Sequence, residues 1–222
     1  FYSKSLEKLD SIIGKKDGLG ELKKIIAERK SRQFKKNQVI YYEGDRGNGV
    51  YLLVSGKVKT VKLAEDGREL MTGILNSDDY LGIQAVLANE SYSDTATALE
   101  DSTLCLIPKE SIDQLLNLYP DVAREFIKLL SNNIREKEDQ LLQLAYHSVR
   151  KRMAEAILKL DKQPGQGAEG FKISREDLAA LAGMATETVS RTLSDFKDEG
   201  LIEKKGSNIR VLDISKLSKM RN

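Results

Sequence analysis

The feature that most restricts the fold is a series of short apolar–polar alternations between residues 34 and 108, which are separated by glycine-containing turns. Such alternation is typical of strands that bury one face. The turns include Ser55-Gly56 and Asp66-Gly67, and an Asp-Gly pair between two alternating runs is a strong hairpin signal, because glycine accepts the positive φ of a tight turn. Short strands at this turn spacing predict a β-barrel or a β-sandwich.

Two short helical patterns precede the predicted strands. The first residues contain no basic stretch followed by an apolar block, so they do not indicate a secretory signal. The chain begins inside the first pattern without an initiator Met, which fits a missing upstream domain and equally a missing tail. The apolar positions of the two patterns are Leu6, Leu9 and Ile13, then Leu22, Ile25 and Ile26.

A longer helical pattern begins at Asp121, and its apolar residues recur at alternating spacings of three and four. This heptad arrangement is the one by which two helices pack along each other, and it predicts a homodimer whose long helices span residues 121–148. Lys137 interrupts the apolar seam, and a single amphipathic helix lying on its own domain is the alternative. The predicted dimer interface consists of Ile127, Leu130, Ile134, Lys137, Leu141 and Leu144, and the pattern extends to Ser148.

After an amphipathic helix around Met153, Ile157 and Leu160, the stretch ISREDLAALAGMATETVSRTLSDFKDEG indicates two more helices joined by a tight turn. Ser174 is expected to cap the first of them, and Gly183 supplies the left-handed residue that ends it. The second helix is expected to run from about residue 186 to residue 199. This arrangement predicts a helix–turn–helix.

The second helix of this pair has an apolar face and a polar face at about 100° per residue. An Arg can donate two hydrogen bonds to guanine and a Glu can accept one from cytosine, so the polar face has the chemistry of major-groove recognition. A solvated face that carries a Glu187–Arg191 ion pair is the alternative for this helix taken alone. The predicted base contacts are Glu187, Ser190 and Arg191, with Ser194 on the same face, whereas Val189, Leu193 and Phe196 lie on the apolar face.

The stretch GLIEKKGSNIRVLD that follows predicts a small two-stranded wing, turning at residues 206–208. A basic wing after a helix–turn–helix is a DNA-binding arrangement, because cations and hydroxyls contact phosphates. Residues 148–222 contain 15 Lys and Arg against 11 Asp and Glu, whereas residues 1–147 contain 21 against 23, which favours a polyanionic partner for the C-terminal part. The predicted contacts with the DNA backbone are Ser174, Thr186, Thr188, Ser194, Lys204, Lys205 and Arg210.

The chain resembles the CRP/FNR superfamily of bacterial transcription regulators from about residue 20 to residue 215. The resemblance rests on the β-roll with its glycine-containing turns, on the long helix, and on the winged helix with its ETVSR stretch. The resemblance implies an α+β fold: an N-terminal β-roll similar to the cyclic-nucleotide-binding jelly roll (residues 1–120), a long dimerisation helix (121–148) and a C-terminal winged helix–turn–helix (149–222). It also implies double-stranded DNA as the ligand and RNA polymerase as a further partner.

In the FNR-like branch of that superfamily, the Glu, Ser and Arg of an E-x-x-S-R pattern read a TTGA-type half-site. The resemblance therefore implies an inverted repeat of such half-sites, with centres about 10 bp apart. Relatives usually carry a Ser or Thr at the position of Ala185. Thr186 is therefore expected to take over the helix cap and to shift the start of the helix slightly.

The predicted effector position lacks the residues that hold a cyclic nucleotide in this superfamily. Relatives carry a Gly-Glu pair for the ribose hydroxyl and an Arg-Ser or Arg-Thr pair for the phosphate, and here those places are Gly82-Ile83 and Tyr92-Ser93. No Lys or Arg occurs in residues 69–108, whereas seven acidic residues do, and Asp94 is expected close to the phosphate. Burying a phosphate without a cation costs several kcal/mol. Tight binding of cyclic AMP or cyclic GMP is therefore not expected, and the effector stays unidentified.

The single cysteine and the single histidine exclude several classes of site. Cys105 alone cannot form an intramolecular disulfide or a four-thiolate iron–sulfur cluster, and it fits a reducing cytoplasm. His147 alone cannot supply a multi-imidazole metal centre, although it leaves a haem ligand open. No metal, cofactor or enzymatic nucleophile–base pair is predicted, and no apolar run approaches the roughly 18 residues of a membrane span. The alternative function is a ligand-binding regulatory module that acts through protein partners rather than DNA.

Overall fold

The computed structural model describes residues 17–163 and 170–220. These residues form two compact units, which consist of residues 17–62 with 72–135 and of residues 63–71 with the described part of 136–220. The predicted combination of β-roll, long helix and C-terminal helix–turn–helix is confirmed. The predicted helical pattern at Leu6, Leu9 and Ile13 lies outside the described residues.

Two four-stranded antiparallel sheets form the β-roll, as the alternating pattern predicts. The strands are β1 (Arg32–Phe34), β2 (Val39–Tyr41), β3 (Gly49–Ser55), β4 (Lys57–Leu63), β5 (Glu69–Asn76), β6 (Tyr80–Leu81), β7 (Thr95–Ala98) and β8 (Ser102–Pro108). One sheet has the strand order β1-β8-β3-β6, and the other has the order β2-β7-β4-β5.

Glycine is required where the chain passes from β3 in one sheet to β4 in the other. Gly56 has φ +97°, and a Cβ atom there would lie 2.3 Å from Ser102 Oγ. That hydroxyl accepts a hydrogen bond from the Lys57 amide at 3.2 Å, so any larger residue would break the corner. The Asp66-Gly67 signal also corresponds to a hairpin, since Gly67 has φ +83° between β4 and β5.

Three helices pack against the β-roll within the first unit: α1 (Asp17–Glu28), α2 (Ile83–Ala88) and α3 (Lys109–Leu118). The sequence pattern at Leu22, Ile25 and Ile26 predicts α1, but no pattern predicts α2, which begins and ends at left-handed residues, Gly82 (φ +77°) and Asn89 (φ +57°). The core between these helices and the sheet includes Ile26, Val50, Cys105, Ile107 and Ile112, and Val122 of the long helix that follows also belongs to it.

The long helix α4 spans Pro120–Tyr146, and the division between the two units falls within it. It ends two residues before the predicted end at residue 148. Ser148 instead caps α5 (Val149–Asp161), because its hydroxyl accepts a hydrogen bond from the Lys151 amide at 3.3 Å. A capping serine satisfies an amide that has no partner within its own helix, so it terminates the heptad pattern at this point.

The second unit contains the helix–turn–helix, formed by α6 (Arg175–Ala182) and α7 (Thr186–Asp198), then β10 (Ile202–Lys205), β11 (Asn208–Val211) and α8 (Ile214–Ser218). The wing was expected to have two strands, but β9 (Phe171–Lys172) pairs with β11 and makes it three-stranded. Its turn is also tighter than expected, because Asn208 pairs with Lys205 as the first residue of β11. The core of this unit includes Met153, Ile157, Phe171, Leu178, Val189, Leu193 and Phe196.

Candidate nucleic-acid interface

The helix–turn–helix has the end signals that the sequence predicts for its first helix. Ser174 Oγ accepts a hydrogen bond from the Asp177 amide at 2.9 Å and donates one to Asp177 Oδ2 at 2.8 Å. Gly183 ends α6 in the left-handed conformation, with φ +62°. These contacts give the turn a defined geometry, since both orphaned ends of α6 have local partners.

The start of α7 differs from the expectation about its cap. Ala185 is the N-cap residue, no side chain accepts a hydrogen bond there, and Thr186 is the first residue of the helix. The expected transfer of the cap to Thr186 is therefore wrong, and the helix keeps its register. Thr186 is exposed, and the negative charge of Glu187 in the first turn favours the positive end of the helix dipole.

The two faces of α7 are as different as its sequence predicts. Val189, Leu193 and Phe196 are at most 1% exposed, and burial of each stabilises the unit by about 1.5–3 kcal/mol. On the opposite face, Glu187 and Arg191 are exposed. In the described part of the chain neither side chain forms a hydrogen bond or ion pair, so the alternative Glu187–Arg191 pair is absent. The other polar residues of this helix are Ser194, which is exposed, and Ser190 and Thr188, which are half-buried.

Two of the three predicted cations of the wing are paired within the wing itself. Glu203 accepts contacts from Lys205, at 3.2 Å, and from Arg210, at 2.5 Å. The Lys205 hydrogen bond and then the Arg210 charge hold the pKa of Glu203 below its ordinary value. Both cations are substantially exposed, so exchange of Glu203 for a phosphate requires little rearrangement.

Lys204, the third predicted cation, lies in a different environment. Burial lowers the pKa of Lys204, and the nearby positive charges of Arg175 and Lys197 lower it further. Lys204 and Arg175 line a cavity of about 190 Å³ together with Ser174 and Ser207, between the start of α6 and the turn of the wing. Two cations, Arg175 and Lys204, that line one concave surface favour an anion there. Sequence reasoning missed Arg175, because its proximity to Lys204 depends on the packing of two segments that are distant in the chain.

The predicted dimer seam is only partly exposed in the single chain. Ile127, Ile134 and Leu141, spaced by seven residues, are 61%, 59% and 67% exposed, and Lys137 is also exposed. Leu130 is half-buried and packs against the core of the first unit. Leu144 is also half-buried, and its Cδ2 atom lies 2.4 Å from where a Cβ atom on Gly183 would be.

The predicted effector residues in the β-roll are mostly parts of the core. Ile83 is buried, and Gly82 packs so closely on Tyr92 that a Cβ atom would lie 2.6 Å from Tyr92 Cε1. The Tyr92 hydroxyl donates to the Gly49 carbonyl at 2.8 Å, and burial is the main reason that its pKa rises to about 12. Its ring stacks on that of Tyr41 at 3.9 Å, whereas Ser93 is exposed.

Asp94, which was expected near the phosphate position, is held by neighbouring hydroxyl groups. Tyr41 Oη donates to Asp94 Oδ1 at 3.4 Å, and Thr72 Oγ1 donates to Oδ2 at 3.2 Å. Burial and the Asp94 charge raise the pKa of Tyr41 well above its ordinary value. This arrangement stabilises an ionised carboxylate, and a carboxylate repels a phosphate.

The single cysteine and histidine have structural partners. Cys105 is buried, and burial raises the pKa of its thiol, which disfavours the reactive thiolate. His147, which lies between the end of α4 and the start of α5, has its Nδ1 atom 2.8 Å from Oε2 of Glu155 in α5. No group of three His, Cys, Asp or Glu residues in the described ranges is arranged to hold a metal ion. Among those same ranges, no helix has both the length and the apolar character that a membrane crossing needs.

Comparisons with known proteins agree with this architecture. Residues 31–119 match the cyclic nucleotide-binding domain family, and residues 151–220 match the Crp-like helix-turn-helix domain family. The chain is 30% identical over 190 residues to the transcriptional activator protein FnrA of Stutzerimonas stutzeri, covering 83% of this chain and 78% of that protein. It is 33% identical to the cyclic AMP receptor protein of Thermus thermophilus, covering 85% and 87%.

Among solved structures, FixK2 from Bradyrhizobium japonicum superposes with a TM-score of 0.75 at 26% identity, covering 86% of this chain and 96% of that one. A transcriptional regulator of the CRP/FNR family from Thermus thermophilus gives a TM-score of 0.74 at 26% identity, with 86% and 97% covered. The same family is indicated by the fold, by the two domain matches and by the sequence identity over most of both chains. The chain belongs to the CRP/FNR family of transcription regulators.

Proposed function

We propose that this regulator binds DNA as a homodimer and reads a TTGA-like inverted repeat through Glu187, Ser190 and Arg191. The observation that carries the proposal is the outward face of α7, where the side chains of Glu187 and Arg191 are exposed and form no hydrogen bond or ion pair with the described residues. If Arg191 stabilised the fold, its guanidinium would form an ion pair or hydrogen bond with another residue of the chain. An unpaired Arg on a helix that is packed on its other face is available for the edge of a base.

The three residues divide the recognition by chemistry. The Arg191 guanidinium donates two parallel hydrogen bonds to guanine O6 and N7, which no other base accepts in the same geometry. Glu187 accepts from the exocyclic amine of cytosine, and Ser190 contacts either a base edge or the methyl group of thymine. The E-x-x-S-R spacing places all three on the first two turns of α7, the part of a recognition helix that enters the groove.

Phosphates on either side of the half-site are held by the start of α6 and by the wing. We assign the principal phosphate to the cavity between them, where Ser174, Arg175 and Lys204 meet. Burial, and then the charges of Arg175 and Lys197, lower the pKa of Lys204, and an anion at this position would offset the part that comes from the two charges. Further backbone contacts come from Thr186, Thr188, Ser194, Lys205 and Arg210.

The dimer forms along α4. Ile127, Ile134 and Leu141 give each helix an exposed apolar row with a seven-residue spacing, which a second copy buries by pairing. Leu130 and Leu144 flank this row, and Lys137 lies within it. Pairing of α4 presents two copies of α7 to one face of the duplex, which an inverted repeat requires.

The β-roll of this regulator does not bind cyclic AMP or cyclic GMP tightly. Asp94 lies where the phosphate is expected. At the position where relatives carry the phosphate-binding Arg, this chain has Tyr92, which is part of the core. The effector is therefore a different molecule, or the input reaches the protein by another route. RNA polymerase is the protein partner expected for a regulator of this type.

Selection of bound duplexes from a random pool tests the proposal most directly. We expect enrichment of inverted TTGA-like half-sites with centres about 10 bp apart. Lys219→Ala, which removes an exposed charge after α8, should give the same enriched sequences. Recovery of no common sequence would overturn the proposal and favour the alternative, a regulatory module that acts through protein partners.

A further inference from the structure

Arg150, in the first turn of α5, contacts residues at the C-terminal end of α7. Its Nη2 atom donates to both carboxylate oxygens of Glu199, at 2.8 and 2.7 Å, and its Nη1 atom lies 3.8 Å from Asp195 Oδ2. The guanidinium also lies over the ring of Phe196, with 5.0 Å between Cζ and the ring centroid. A planar cation that is held by a carboxylate and an aromatic ring has a restricted orientation, so α5 and the end of α7 are joined directionally.

Arg152, two residues further along α5, holds the turn that precedes α7. Its Nη1 atom donates to the carbonyl oxygens of Ala182, at 3.1 Å, and Gly183, at 2.7 Å. These carbonyls belong to the C-terminal end of α6, where a cation is favoured by the helix dipole and satisfies acceptors that have no partner within the helix. The side chain is partly buried, so the carbonyls replace water as its ligands.

The recognition helix depends on these contacts because its own start is weakly defined. Ala185 provides no side-chain cap, so the first amides of α7 lack a local acceptor of that kind. Arg152 defines the position of the preceding turn, and Arg150 defines the position of the opposite end of the helix. Both arginines project from α5, which follows the long helix α4 after only His147 and Ser148.

We propose that Arg150 and Arg152 are positioning residues that set the angle of α7 and thereby the spacing between half-sites that the dimer accepts. This inference rests on the proposed function of α7 in DNA recognition. Neither arginine needs to contact DNA for this role. In a dimer, a rotation of α7 relative to α5 changes the distance between the two recognition helices. Each base pair added to the spacer moves a half-site by about 3.4 Å, so this distance determines which spacer fits.

The role is tested with a series of duplexes that share two identical half-sites and differ in the spacer by one base pair at a time. The full chain is compared with Arg150→Gln, which removes the cation, and with Glu199→Gln, which removes its partner. Lys151→Gln is the matched control, because Lys151 lies between the two arginines and donates its hydrogen bond to Ser148 through the backbone amide, which the substitution leaves in place. Half-site discrimination is measured alongside with a single base change in both halves, and thermal unfolding shows that each variant is folded.

We expect the unmodified chain and Lys151→Gln to prefer one spacer by about tenfold over its neighbours. Arg150→Gln and Glu199→Gln should reduce that preference to about threefold or less, while half-site discrimination stays within about twofold. The exchange Arg150→Glu with Glu199→Arg should restore the preference only in part, since it rebuilds the ion pair with reversed charges but loses the contact with the Phe196 ring and places a carboxylate near Asp195.

An unchanged spacer profile in both single variants would overturn the positioning role. A parallel loss of spacer preference and half-site discrimination would do so as well, because it would indicate general damage to the domain. Should Arg150→Gln fail to fold, Glu199→Gln and Arg150→Lys give the same test. If the unmodified chain binds none of the duplexes specifically, the proposed function fails, and this outcome is distinct from a flat profile in the variants alone.

Discussion

The outward face of α7 and the effector position of the β-roll are both placed by the same family likeness, yet their side chains are arranged in opposite ways. On α7, Glu187 and Arg191 are exposed and have no partners among the described residues. In the β-roll, Tyr92 is buried in a stack with Tyr41, and the hydroxyls of Tyr41 and Thr72 hold Asp94. One region leaves its polar groups available, whereas the other satisfies them internally.

A family match therefore indicates a function only where the local side chains have the chemistry which that function needs. The match over residues 31–119 is to a cyclic nucleotide-binding domain, but Tyr92 occupies the position expected for a phosphate-binding Arg, and residues 69–108 contain no Lys or Arg. The match over residues 151–220 is accompanied by unpaired groups of the type that bind DNA.

The largest effect is expected from Ile134→Glu, which places a charge in the centre of the exposed row on α4. Pairing would bury that charge at a cost of several kcal/mol, so the dimer should dissociate at micromolar concentration. Affinity for an inverted repeat should fall by roughly 100-fold or more, because the two half-sites then bind independently. Analytical ultracentrifugation and a gel-shift titration measure the two results.

Leu142→Glu is the matched control for the dimer prediction. Leu142 is 54% exposed and adjacent to Leu141, but it lies outside the heptad positions. The control should stay dimeric and bind the repeat normally. Dissociation by Leu142→Glu together with an intact Ile134→Glu dimer would show that a different face of α4 pairs.

The next largest effect is expected from Arg191→Ala, which removes the guanine contact. Discrimination between the TTGA-like repeat and random duplex should decrease by about 10- to 100-fold, because a bidentate base contact contributes about 1–3 kcal/mol of specificity. Arg191→Lys should lose most of this discrimination as well, since an ammonium retains the charge but not the planar pair of donors. An unchanged ratio of specific to random binding in Arg191→Ala would contradict the assigned role.

A smaller effect is expected from Lys204→Met. The substitution should weaken DNA binding but raise the thermal stability of the free protein. The slope of log affinity against log salt should become shallower by about 0.9, the value for one lost phosphate contact. The free protein should unfold at a higher temperature, because burial and the neighbouring cations disfavour the charge that gives Lys204 its lowered pKa.

The stability difference for Lys204→Met should depend on pH in a defined direction. Below the folded-state pKa, Lys204 is charged in both states, and the folded chain bears the full penalty. Between that lowered pKa and the unfolded value of about 10.4, the unfolded state binds more protons, so the stability of the original chain rises with pH. The advantage of Met should therefore be largest near neutral pH and decline towards pH 10, as measured by thermal unfolding.

Sequence reasoning succeeded where the determining interactions are local. Ser174 and Gly183 define the ends of α6 through contacts with residues a few positions away, and the apolar face of α7 follows from its helical period. The same reasoning missed α2, which is a six-residue helix between two left-handed residues and has too few turns for a period to show. It placed the end of α4 at residue 148, because a serine fits both a heptad position and a helix cap.

The features that sequence reasoning could not supply are non-local. Strand β9 has two residues, and its pairing with β11 joins segments more than 30 positions apart. The contact between Arg150 and Glu199 spans 49 positions, and the proximity of Arg175 to Lys204 depends on the folded wing. A charge pattern shows that a segment is basic, but only the fold shows that Lys205 and Arg210 share Glu203 while Lys204 faces other cations.

The smallest effect, no response at all, is expected when cyclic AMP or cyclic GMP is added to the protein. Calorimetric titration should give no binding tighter than about 100 µM, which corresponds to roughly −5.5 kcal/mol, because the phosphate would meet the Asp94 carboxylate. Asp94→Ala separates repulsion from the lack of a cation: it should lower thermal stability through lost hydrogen bonds without creating tight binding. Tight binding by the unmodified chain would show that a cation from another segment compensates Asp94. The β-roll and α7 would then both hold available ligand sites, and the contrast between them would no longer stand.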